Sequence, residues 1–169
     1  NFKPEALRRY EALVLPEVSV LSSEHAETIR QWVRDGGTLI SSNRCGLLDE
    51  SQKPRDNFAL ADVFGVDYVS EVTKYAYDAN GKQREGNPVS TYMESVGHAL
   101  AKTISQDPVG LSGPFLILKL TTAQEVMRYR LPLLVEDVPH NRWVGWGAPP
   151  PGPETAGPAV VFNRFGKGQ

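Results

Sequence analysis

The apolar positions in the first third of the chain change period twice. Glu11-Ala12-Leu13-Val14-Leu15-Pro16 is a short apolar run closed by proline, the pattern of a buried strand of parallel type. From Leu21-Ser22-Ser23-Glu24 the period becomes helical. Ala26, Ile29 and Val33 share one face, while Glu27, Arg30 and Arg34 decorate the other. Ser22 can accept from first-turn N–H groups, and Glu24 complements the positive end of the helix dipole. Gly36-Gly37 stops the helix, because glycine tolerates the left-handed geometry of a C-terminal cap. Thr38-Leu39-Ile40-Ser41-Ser42 follows as a second buried strand. Strand, helix and strand within about thirty residues predict a βαβ unit with a right-handed crossover.

Farther along the signals shorten. Asp56 is placed to cap a second helix through Phe58, Leu60, Ala61, Val63 and Phe64, closed by Gly65. The stretch from Val66 to Asp78 alternates loosely and is rich in Val, Tyr and Thr, and Asn80-Gly81 is a tight-turn signal, which together suggest a hairpin. Gly113 to Leu120 and Glu125 to Leu131 read as strands, and His98 to Ile104 as a helical turn. Trp143 to Gly157, with Pro149-Pro150-Pro151, reads as an irregular loop before a last strand at Ala159 to Asn163. No internal repeat is present.

Composition narrows the function classes. With 169 residues, 40% hydrophobic and 22% charged, the chain can build one real core. A net charge of −2 and 18 scattered Lys and Arg residues exclude a nucleic-acid partner of the usual basic-patch kind. No apolar run approaches the roughly 20 residues a membrane-spanning helix needs, so no membrane partner is expected. The lone Cys45 allows no internal disulfide and leaves the compartment open. Position 1 is Asn, and Phe165-Gly166-Lys167-Gly168-Gln169 reads as a turn feeding another strand, so the chain is expected to be a segment of a larger protein.

Several weak motifs in order carry a resemblance. They are the strand and capped helix at Ala12 to Gly37, the run from Gly36-Gly37-Thr38-Leu39-Ile40 to Cys45-Gly46-Leu47-Leu48-Asp49-Glu50, the helix Phe58 to Val66, and the closing Pro158 to Gly168. Together they resemble the glutamine-amidotransferase-like domain found inside multidomain, mostly bacterial, glycoside hydrolases, including the trimerisation domain of family 42 β-galactosidases. The resemblance implies an α/β fold: a flavodoxin-like parallel sheet with flanking helices and a β-rich second half, lacking its first βα unit. It implies one domain over residues 1–169, a βαβα core at 10–66, and a β-rich part at 67–169 with a Pro/Gly loop at 147–158. It also implies a non-catalytic role in carbohydrate metabolism: subunit assembly and enclosure of a neighbouring active site. The expected partners are other domains of the same polypeptide, further copies of the chain and, less directly, carbohydrate.

The residues themselves point away from catalysis. A working amidotransferase places its cysteine in a Gly-x-Cys-x-Gly elbow, where a strained turn presents the thiolate to backbone donors. Here Ser42-Asn43-Arg44-Cys45-Gly46 lacks the first glycine. The required His-x-Glu is also missing downstream, since neither His98 nor His140 has a Glu two residues later. His25-Ala26-Glu27 has that spacing but precedes Cys45 and lies on a helix, where positions two apart point different ways. Three separated histidines and one cysteine do not make a metal site by spacing, and no glycine-rich phosphate loop follows a strand. Asp49-Glu50 and Glu136-Asp137 are adjacent pairs, whereas glycoside hydrolysis needs two carboxyls on opposite sides of a sugar. No catalytic residue, metal or cofactor is therefore expected. Trp143 and Trp146 are the candidate carbohydrate contacts, because indole faces stack on pyranose rings; the alternative is that both pack the loop onto the sheet. Two rival functions remain: a carbohydrate-binding module using those tryptophans, or a divergent amidotransferase or hydrolase using Cys45.

Overall fold

The computed structural model describes residues 4–73, 90–104, 107–132 and 150–169. In chain order its elements are α1 (Pro4–Leu7), β1 (Ala12–Leu15), α2 (Ser23–Arg34), β2 (Thr38–Ser41), α3 (Ala61–Phe64), β3 (Val66–Val72) and β4 (Ser90–Ser95). A 3₁₀ turn at Ala99–Ala101 precedes β5 (Val109–Ser112), β6 (Phe115–Leu120), β7 (Gln124–Pro132) and β8 (Pro151–Phe162). The strands form a β1–β2 pair, a β3–β6 pair and a four-stranded sheet in the order β5-β4-β7-β8. Two compact units result. One comprises Asn1–Val69, Leu118–Gln124 and Val161–Gln169; the other comprises Ser70–Ile117 and Glu125–Val160.

In the first unit β1 and β2 run parallel, with Leu13 opposite Leu39 and Leu15 opposite Ser41. The helix between them starts where Ser22 accepts a hydrogen bond from the His25 N–H at 3.1 Å. It buries Ala26, Ile29, Trp32 and Val33 against Leu15, Leu21, Leu60 and Val63, with Leu13 and Leu39 packed beside them. Gly37 allows the helix to return to the strand: a Cβ there would lie 2.4 Å from the Trp32 ring. The closing residues dock onto this turn. Lys167 N–H donates to the Arg34 carbonyl at 2.9 Å, and the Arg34 guanidinium lies 5.2 Å above the Phe165 ring. Gln169 donates to Gly37 and accepts from Leu39, the exchange of a parallel bridge on the free side of β2.

Gly65 ends α3 in the left-handed region at φ 70°. Its carbonyl accepts from the N–H groups of Thr121, Thr122 and Ala123, tying the segment after β6 to the helix end. Asn163 closes the same corner by donating to the Val63 carbonyl at 3.0 Å while accepting from the Thr122 hydroxyl at 3.1 Å.

In the second unit β4 pairs antiparallel with both β5 and β7, placing Tyr92 opposite Gly110 on one side and Arg130 on the other. Thr91, Ala101, Phe115, Leu116, Val126 and Met127 are buried. The Phe115 and Tyr129 rings meet at 4.5 Å. Arg130 forks onto both carboxylate oxygens of Glu94 and also donates to the Gly152 carbonyl at 2.8 Å.

The α/β expectation is overturned. Among the described residues no flavodoxin-like parallel sheet with flanking helices forms; the fold is β-rich and mostly antiparallel, and the parallel pairing of its named strands is confined to β1 and β2. A further parallel strand needs a crossover of about a dozen residues, usually a helix. Beyond β2 the described helices are a four-residue α3 and a three-residue 3₁₀ turn, too short to cover a second sheet face.

Smaller differences have local causes. The second helix is confined to Ala61–Phe64 rather than starting near Asp56, and Leu60 stands at its start with no side-chain cap. Asn57 holds the preceding residues in a turn instead: its Oδ1 accepts from both Phe58 and Tyr68 N–H, and its Nδ2 donates to Asp67. The segment 151–157, read as irregular from its prolines, belongs to β8, which lies at the edge of its sheet. An edge strand tolerates the missing N–H groups of proline. The Asn80-Gly81 hairpin lies outside the described residues.

Candidate functional site

In open α/β sheets, ligand sites gather beyond the carboxyl ends of the strands. Parallel pairing sets the exits of β1 and β2 side by side, and with them the loops after Leu15 and Ser41. Glu17 and Asn43 both adopt left-handed backbone, at φ 51° and 52°. Glu17 N–H donates to the Ser42 hydroxyl at 3.1 Å, and Asn43 Nδ2 donates to the Glu17 carboxylate at 2.9 Å.

Backbone hydrogen bonds zip the two loops together. Gly46 N–H donates to the Val18 carbonyl and Leu48 N–H to that of Ser19, each at 2.9 Å, and the Leu21 N–H returns to Leu48 at 3.0 Å. Val20 and Leu48 thus form a further parallel bridge beyond the strands. Cys45 turns inward at this point. It is 1% exposed and belongs to the cluster of Leu15, Leu21 and Leu60. Burial pushes its thiol pKa up, against the weaker opposing pull of the Ser41 side chain and the Val18 backbone. A nucleophilic cysteine needs the reverse: access and a lowered pKa.

The other candidates have structural occupations. His98 Nδ1 accepts from Leu100 N–H at 3.2 Å, capping the 3₁₀ turn. Glu27 pairs with Arg30, which also forks onto Asp62 and donates to the Ala59 carbonyl. Asp62 first, then Glu27, holds the Arg30 proton more firmly than usual, despite partial burial. Asp49 accepts from Ser51 and Lys53 N–H groups at 2.8 and 2.9 Å, and these bonds, Lys53's foremost, keep its carboxyl below the ordinary carboxylate range. Glu50 reaches Arg55 at 3.9 Å. Among the described residues, no group of three His, Cys, Asp or Glu side chains could hold a metal ion. His140, Glu136-Asp137, Trp143 and Trp146 lie outside the described residues.

Sequence reading missed Trp32, which covers Gly37 and closes the helix face. Its spacing three residues after Ile29 was a legible signal. The Arg30–Asp62 fork and the Asn163 corner had no such signal, since each joins side chains distant in sequence.

A family model described as the β-galactosidase trimerisation domain matches residues 3–107. The chain belongs to that family. A trimerisation domain is a non-catalytic part of those galactosidases, which accords with the inward-turned thiol. No curated protein matches the chain. Among solved structures it resembles Gan42B, a GH42 β-galactosidase from G. stearothermophilus, at 21% identity and a TM-score of 0.62, covering 96% of this chain and 18% of that one. The β-galactosidase of Rahnella sp. R3 gives 18% identity and a TM-score of 0.65, with 94% and 19% covered. An α-L-fucosidase isoenzyme from Paenibacillus thiaminolyticus gives 17% and 0.63, with 92% and 20% covered. At these identities the likeness is one of fold. The chain therefore spans about a fifth of each of these structures. The comparisons support the trimerisation-domain family and not the amidotransferase-like assignment.

Proposed function

We propose that this trimerisation-family domain serves as the assembly domain of a multidomain glycoside hydrolase acting on β-galactosides or related sugars. It holds copies of the polypeptide together and helps to enclose an active site carried by another domain. The observation that carries this reading is the family match over residues 3–107, in a chain whose strand-end loops close on a buried Cys45. Its partners are then the other domains of its polypeptide and further copies of itself.

Sedimentation velocity on the full polypeptide, with and without this domain, tests the proposal. The expected result is an oligomer that falls to monomer on deletion while circular dichroism shows the remaining domains folded. An oligomer that persists would overturn it. Trp143 and Trp146 are proposed as carbohydrate contacts at the rim of that enclosed site, supported by the affinity of indole faces for pyranose rings. Galactose titration of Trp143→Ala and Trp146→Ala in the assembled protein should show weakened saturable quenching. Unchanged quenching removes the two tryptophans from the reading and leaves the assembly role standing.

A further inference from the structure

We draw no further inference here: the strongest candidate, the outward face of the β1–β2 pair where Val14 and Ile40 stand opposite each other in register and are 57% and 54% exposed, carries nothing because no feature of the structure shows what covers it.

Discussion

In the first unit a single helix lays Ile29, Trp32 and Val33 onto two short parallel strands, so apolar burial holds the elements together. In the second, the described strands bury Thr91, Val126 and Met127 and carry polar ties across the sheet: Thr91 to the Arg130 carbonyl, and Arg130 to Glu94 and Gly152. The difference is one of range. The helix face is written in a dozen consecutive residues, whereas Glu94 and Arg130 are 36 residues apart along the chain. Local periodicity therefore announces the first unit, and nothing comparable announces the pairing in the second.

The sharpest way to break this contrast is Ile29→Ala. Ile29 is fully buried, so lost transfer energy and an unfilled cavity should cost about 2–5 kcal/mol, read as a lower urea midpoint by far-UV circular dichroism. A cost near zero would mean that burial does not hold the helix to the strands. Gly65→Ala comes next. Its added Cβ would sit 2.6 Å from the Asn163 side chain and 2.7 Å from the Ala123 nitrogen, in a left-handed backbone. The backbone alone should cost about 1–2 kcal/mol, with the clash adding to it, and Asn163→Ala should partly relieve the clash. Full tolerance of Gly65→Ala would show that this corner is looser than drawn.

Thr91→Val sharpens the other side. It keeps shape and burial but removes the hydroxyl that donates to the Arg130 carbonyl at 2.9 Å, so about 1 kcal/mol should be lost. A loss matching that of Ile29→Ala would erase the contrast between burial and polar ties.

The smallest effect concerns Cys45. Its folded pKa is raised by burial, so the folded state keeps its proton at pH values where an unfolded thiol would begin to lose it. The thiol's contribution to stability is full below the unfolded value of about 8.5 and fades as pH climbs through the folded one. A thiol-specific reagent at pH 8 should react slowly with native protein and quickly in urea. Equal rates in both would show an accessible thiol and reopen the amidotransferase reading.

The strand, capped helix and strand from Ala12 to Ser41 were legible as elements because each is specified by neighbours a few residues away: Ser22 for the start, Gly36-Gly37 for the stop, Ile29 and Val33 for the face. The strands are not buried as read, since Val14 and Ile40 stand exposed on one face. The absence of an amidotransferase elbow was legible for the same reason, as it depends on two residues flanking Cys45. The extent of the parallel sheet was not. Ser90–Ser95 and Val109–Ser112 carry too little alternation to read as strands, and become so by pairing with each other and, for the former, with β7. Where backbone partners are remote, several pairings satisfy the same local pattern, and burial of the whole chain selects among them. Tertiary structure likewise decided that Cys45 faces the core, because Val18, Ser19 and Leu48 close the loops around it.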